Sequence, residues 1–233
     1  MDNVHKKILI MISTNKSIVY RNWLKLLLLV TIVFTSGCQM LFPKNAGKDL
    51  QHFALQAPQP GTTLPELDIV TLEGEQRRLS EYVDGKPLVL QLGSHSCPVY
   101  RYRRFDMNKL QREFGDAVDF LTIYTVEAHP AGSKSPYRES EWLTGINRVT
   151  GVRVTQPGTL VERIDQASYS IDELDTPNPV VVDVMQDEAW NTFGSAPSPA
   201  YVINKLGEIV LRQVWVNPKG IKQTLDQLLP GDD

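Results

Sequence analysis

The chain reads as an α/β protein, with a central mixed sheet and helices on both faces. Three observations predict this. Pro87–Leu92, an apolar run without polar alternation except Gln91, reads as a central strand, with Val118–Val126 as a second central strand and Pro179–Val184 as a third apolar one. Stretches with helical spacing separate them, and strand–helix–strand units imply parallel pairing. After the third run, Ala200–Ile203 and Glu208–Val214 flank a turn at Asn204–Gly207, which adds an antiparallel hairpin.

In chain order, residues 1–38 form a targeting segment, 39–66 a linker rich in Pro and Gly, and 67–229 the folded domain. Leu67–Leu72 alternates as a strand, Glu73-Gly74 turns, and Gln76–Leu79 returns. Ser80–Val83 makes a short turn or helix before the central Pro87–Leu92 strand. Pro98–Phe114 is a helix, with Phe105, Leu110 and Phe114 expected inward and Arg101, Arg103, Arg104, Lys109 and Arg112 outward. Residues 131–158, rich in Gly, Ser, Pro and charge, read as a long surface insertion. Thr159–Tyr169 is helical, Asp187–Phe193 is a short helix closed by Gly194, and Gly220–Leu229 is the closing helix.

The first 38 residues carry five basic groups (Lys6, Lys7, Lys16, Arg21, Lys25) and one acid, Asp2. An apolar core, Leu26–Phe34, follows, then Thr35-Ser-Gly37 and Cys38. This is the layout of a secretory signal. Ending in Ser-Gly-Cys, it resembles a bacterial lipoprotein signal, which implies acylation at Cys38 and a membrane-tethered domain on the periplasmic side. Thr35 stands where such signals usually have leucine, and a start at Met11 would shorten the long basic region. The rival is an uncleaved anchor, Leu26–Phe42, oriented by the basic residues before it.

Composition narrows the function. Of the chain's 24 basic and 27 acidic residues, 19 and 26 lie after Cys38, a net charge of −7 there. No basic surface of the kind nucleic acid requires survives outside the leader. At 42% hydrophobic residues a core forms without staples, so the two cysteines are not a disulfide framework.

The second cysteine stands at a chemical position. In Gly93-Ser-His-Ser-Cys97-Pro98 it lies between a strand end and a helix start. Free N–H groups and the positive end of the helix dipole favour a thiolate there, so a lowered pKa and nucleophilicity near neutral pH are expected of Cys97. Pro98 suits the first helical turn. Position 100 is tyrosine, so no Cys-x-x-Cys pair exists and an oxidised Cys97 must be resolved by an outside thiol. His95 and Ser94 lie close by in sequence. The order of elements resembles the thioredoxin-like fold, in which a proline before the hairpin strand faces the cysteine. Ser198-Pro199 occupies that place, and a cis bond is expected there.

Two motifs sharpen the resemblance. Gly93-Ser-His-Ser-Cys97-Pro98, together with Val118-Asp-Phe-Leu-Thr-Ile-Tyr124 and Glu127-Ala-His-Pro130, resembles the iodothyronine deiodinase family. Ser135-Pro-Tyr137, Val181-Val-Asp183 and Tyr201-Val-Ile203 continue the likeness over most of residues 60–229. The resemblance implies that Cys97 takes the place of the family's selenocysteine, with Glu127 and His129 as an acid/base pair beside it. An imidazole with a pKa near ~6.5 can stabilise a thiolate or deliver a proton, and a carboxylate can orient the ring. The chain departs from the family where Gln156-Pro-Gly-Thr159 replaces Gln-His-Arg-Ser and Trp215-Val-Asn-Pro218 replaces Gly-Arg-Gly-Pro. Those stretches are linked to holding the iodothyronine, so the expected substrate widens to a small soft electrophile: aryl halide, peroxide or disulfide. No cofactor or metal is expected. The implied partners are a thiol reductant or a thioredoxin-like protein.

Two other classes compete: a binding module that keeps the fold without turnover, and a copper or zinc carrier using Cys97, His95 and His129. The redox reading requires an ionised sulfur at the helix mouth with an imidazole close by. A sulfur deep in apolar packing would leave only the architecture.

Overall fold

A computed structural model describes residues 46–229. The elements are α1 (Ala46–Gln56), β1 (Asp68–Val70), β2 (Gln76–Arg78), a 3-10 turn (Leu79–Tyr82), β3 (Leu88–Gly93), α2 (Pro98–Phe114) and β4 (Asp119–Tyr124). They continue with α3 (Gly145–Thr150), α4 (Leu160–Leu174), β5 (Val180–Asp183), α5 (Glu188–Thr192), β6 (Ala200–Ile203), β7 (Ile209–Gln213) and α6 (Pro218–Leu228). The three apolar runs are the inner strands of one seven-stranded sheet, ordered β2-β1-β5-β4-β3-β6-β7. β3 runs parallel to β4, and β4 to β5, while β6 and β1 join from either side antiparallel. The expected mixed sheet is therefore what forms.

Side chains alternate between two cores, as the period-two geometry of a strand dictates. Leu88, Leu90 and Leu92 of β3 face one core with Leu121, Ile123, Tyr201 and Ile203. Val89 faces the other with Phe120, Val202 and the inner faces of α2 and α6. A third cluster packs Ala167, Ile164 and Ile171 of α4 onto Tyr124, Val180 and Val182.

Several expectations need correction. The stretch read as a linker enters the fold: α1 buries Phe53, and Ala57 follows it into the first core. The helix seats on Gly194, whose φ is +87° and where a Cβ would stand 2.8 Å from the Ala57 methyl, so only glycine serves. Pro and Gly marked the turns at 58–65, but they said nothing of the helix ahead of them. The insertion at 131–158 contains α3, capped by the Thr144 hydroxyl at Asn147 N and closed by Gly151 in the left-handed region. α4 runs on to Leu174, one turn beyond Tyr169. On α2 the buried face carries Tyr100, Met107, Asn108 and Leu110, whereas Phe105 is 63% exposed. Cys38 and both alternatives for the leader lie outside the described residues. Among those residues, no helix is long and apolar enough to cross a membrane.

Candidate active site

The site is assembled where β3 and β4 end side by side. Their parallel register pairs Gly93 with Tyr124, and Thr125 N then donates to Gly93 O. The two loops that follow, 94–97 and 125–129, are laced together. Ser96 N donates to Glu127 Oε2 at 2.7 Å, Ala128 N to Ser94 Oγ at 3.2 Å, and His129 N to Ser96 Oγ at 2.9 Å. The Tyr124 hydroxyl donates to Glu127 Oε1 and accepts from His95 N. Gly93 is needed for a separate reason: the Tyr100 ring lies against it, and a Cβ there would come within 2.3 Å of the ring.

Cys97 stands at the N-cap of α2, with Pro98 in the first turn. The sequence placed it correctly and mistook its state. Its residue surface is 0% exposed, inside an apolar cluster with Tyr100, Ala128 and Leu174, against which Val99 and Tyr137 also pack. Burial pushes the thiol up to about 11. The Val99 and Tyr100 N–H groups and the Arg101 guanidinium pull the other way, without closing a side-chain cap of normal hydrogen-bond geometry. The expected low pKa fails because desolvation outweighs the helix terminus. In this closed arrangement the sulfur is a thiol.

Glu127 and His129 are both buried beside this loop, and the hydrogen bonds of the Glu127 carboxylate go to Ser96 N and the Tyr124 hydroxyl. Burial raises the Glu127 carboxyl, while Ser96 and Tyr124 bind the carboxylate and oppose the rise. Its oxygens therefore hold the cysteine loop in place. The His129 ring meets the edge of Trp142 at 4.2 Å between centroids, and its Nδ1 is buried without a hydrogen-bond partner. Burial, with Arg138 and Arg101 adding to it, lowers this histidine to about 4, so it is neutral at pH 7. The His95 Nδ1 lies 3.2 Å from the Ser170 hydroxyl, and its ring is tilted against Tyr169 at 5.0 Å between centroids; burial takes it to about 4 as well. Ser94 supports Ala128 as noted.

The Ser198–Pro199 bond is trans, since no cis peptide occurs among the described residues. Pro199 still joins the site's strand, because its carbonyl accepts Leu92 N at 3.0 Å. Cys97, His95 and His129 do not gather as a ligand set. Among the described residues no group of three His, Cys, Asp or Glu is placed to hold a metal ion.

Two residues of the site escaped the sequence reading. Asn147 is fully buried, donates from Nδ2 to Ser96 O at 2.8 Å, and accepts Arg101 at Oδ1 at 2.6 Å. Gln156 brackets the backbone of Glu127: its Oε1 accepts Glu127 N at 2.9 Å and its Nε2 donates to Glu127 O at 2.6 Å. A signal for Gln156 existed, because it is the one residue shared with the family's Gln-His-Arg-Ser stretch. Nothing local marked Asn147.

The family model for iodothyronine deiodinase matches residues 1–214. The chain belongs to the iodothyronine deiodinase family. It is 30% identical over 154 residues to a type I iodothyronine deiodinase of Xenopus laevis, covering 65% of this chain and 55% of the relative. It is 27% identical over 178 residues to a thyroxine 5-deiodinase of Gallus gallus, covering 76% and 63%. The chain thus spans under two thirds of the length of these deiodinases. Among solved structures, a thiol:disulfide interchange protein from Bacteroides sp. superposes with a TM-score of 0.52 at 13% identity, over 75% of this chain and 93% of that one. A Geobacillus kaustophilus protein gives 0.51 at 15%, over 73% and 82%. These deiodinase-family elements therefore carry the thioredoxin-like fold.

Proposed function

We propose that this chain is a thiol oxidoreductase of the deiodinase type, in which Cys97 attacks a small soft electrophile and an external thiol regenerates it. The observation that carries the reading is the placement of Cys97 at the start of α2, on a loop laced to Glu127 and His129, in a chain of this family. The step balances for an aryl halide. The thiolate takes the halogen as a sulfenyl halide, the aryl carbon keeps the bonding pair, and that carbon gains a proton. One external thiol then displaces halide to form a mixed disulfide. A second thiol releases Cys97 and leaves as the oxidised disulfide. Cys97 is the free cysteine of the described residues, so both reducing equivalents come from outside.

Turnover in this reading requires the cover over Cys97 to open. Water would remove the desolvation that raises the thiol, while the helix N–H groups and Arg101 would stay in place to favour the thiolate. The same opening would relieve the burial that lowers His129 and return the ring towards its ordinary basicity, from which it could accept a proton as the thiolate forms and deliver one to the aryl carbon. The reductant is proposed to be a small thiol or a thioredoxin-like protein. The domain is proposed to be tethered on the periplasmic side of a membrane through lipidation at Cys38.

A panel of peroxides, disulfides and aryl halides, assayed with dithiothreitol, tests the proposal. Turnover of at least one class that disappears in Cys97→Ser is the expected result; equal thiol-dependent turnover by Cys97→Ser refutes it. The buried sulfur favours the second reading, a binding module without turnover. Absence of turnover of every class, with Cys97 alkylating only at alkaline pH in the presence of each compound, would establish that alternative.

A further inference from the structure

Asp183, the last residue of β5, is a buried carboxylate that takes no part in the lacing around Cys97. It is 0% exposed, and its two oxygens accept the Ala189 and Trp190 N–H groups at 2.9 and 2.8 Å. These belong to the first turn of α5, whose N–H groups have no partner within the helix. A helix of five residues does not hold itself. Its own N-cap, Asp187, closes no side-chain cap and lies in the left-handed region at φ +57°. The Asp187 carboxylate instead accepts Arg163 at 2.7 Å, and buried Arg163 also donates to the Asp183 and Val184 carbonyls. Starting α5 therefore falls to Asp183. Burial raises its carboxyl to about 6, against the pull of the two N–H groups and Arg163, so at pH 7 it is ionised and accepts both.

What α5 carries is a seat for the cover of Cys97. Trp190 is buried and meets the Tyr137 ring at 5.7 Å between centroids. Ser195, just past the helix, lies in the left-handed region at φ +52°, and its N–H is tied back to Trp190 O at 2.8 Å. Its carbonyl accepts the Tyr137 hydroxyl at 2.9 Å. Tyr137 is half-buried and packs against the apolar cluster that holds Cys97. Leu174 closes that cluster from within α4, fixed by helical backbone pairing, whereas Tyr137 closes it from a turn of the 131–158 insertion. A turn opens at lower cost than a helix, so the Tyr137 side is the one that lifts.

We infer that Asp183 is a positioning residue for Cys97: it fixes the first turn of α5, α5 sets Trp190 and the Ser195 carbonyl, and Tyr137, seated on both, is the lid that must lift to admit a reagent to the sulfur. The lid serves the reading of Cys97 as the reacting group, but access to the sulfur is measured without turnover.

The test alkylates the full chain with iodoacetamide and reads the Cys97 peptide by mass spectrometry at a series of pH values. Tyr137→Phe removes only the hydroxyl at Ser195 and should speed alkylation about fivefold, the worth of one neutral hydrogen bond. Asp183→Asn leaves one N–H of α5 without its acceptor and should speed it about fivefold or more. In both variants the midpoint of rate against pH should fall from about 11 towards 9.0, because water at the sulfur relieves its desolvation. The two substitutions act on one lid. Together they should exceed the faster single variant by less than about twofold, where independent effects would multiply. The parent, brought by urea to the stability of the Asp183→Asn protein, should stay slow, which separates lifting of the lid from global loosening.

If Asp183→Asn does not fold, Trp190→Leu takes its place in the cycle. It breaks the contact of α5 with Tyr137 and spares the cap, and the same non-additivity with Tyr137→Phe is expected. An unchanged rate in either folded single variant, effects that multiply, or a urea-matched parent as fast as the variant overturns the inference. If the lid behaves as described while the electrophile panel shows no turnover, the inference stands and the oxidoreductase reading fails.

Discussion

On one side of Leu174, the polar groups around Cys97 are dry and, His129 Nδ1 apart, paired: Glu127 holds Ser96 and Tyr124, Asn147 holds Ser96 O, and Ser94 and Ser96 hold the 128–129 backbone. On the other side, Arg104, Arg153 and the exposed rings of Phe105 and Tyr169 line a cleft open to water. The first region is finished by the chain itself. The second stays open to solvent. The difference teaches that hydrogen bonds fix the loop geometry, while the ionisation of the sulfur is set by its solvation.

Substitution at Glu127 should break this contrast most strongly. Glu127→Ala leaves the Ser96 N–H and Tyr124 hydroxyl buried without their acceptor, and should cost about 3 kcal/mol or more in urea unfolding. The alkaline limb comes next. Cys97 is raised from its ordinary 9.0 to about 11, so the unfolded chain ionises first and stability falls as pH rises from 9 through 11. Over that window the parent should lose about 2 kcal/mol more than Cys97→Ser, measured by denaturant unfolding at each pH.

Gly93→Ala, by driving a methyl into the Tyr100 ring, should cost about 1–3 kcal/mol in the same assay. His129 sharpens the comparison without a mutation. Its imidazole signals in a ¹H–¹⁵N titration should stay in the neutral form until about pH 4; a midpoint near the ordinary 6.5 would mean the ring is solvated. The unfolded chain takes up that proton first, so this histidine costs stability as pH falls from 6.5 towards 4. The smallest effect belongs to the cleft. Arg153→Gln removes an unpaired surface charge and should shift stability by no more than about 0.5 kcal/mol.

Much of the site was legible because its placement is local. A strand ending in Gly93, a four-residue loop and a helix opening on Pro98 put Cys97 at the N-cap whatever surrounds it. The spelling of Val118–Pro130 likewise put Glu127 and His129 at the end of the neighbouring strand. Their roles were not legible. The family resemblance implies a proton-transfer role for Glu127, and nothing local announces that its oxygens also take the Ser96 N–H and the Tyr124 hydroxyl. Phe105 was read as inward and Arg101 as outward from helical spacing. Their positions depend on where the 145–154 segment and the end of α4 come to lie.

Sequence by itself determined the α/β class, the parallel trio β3, β4 and β5, the hairpin, and the position of the cysteine, because periodicity and chain order set these through short-range sterics and the pleat of a strand. Tertiary structure alone decided that α1 closes the first core, that Asn147 and Gln156 brace the site, and that the sulfur is dry. Desolvation is the physical reason for the last. A pKa depends on what surrounds the group from every direction, and Leu174, Tyr137 and Ala128 reach Cys97 from three separate stretches of chain that no local pattern connects.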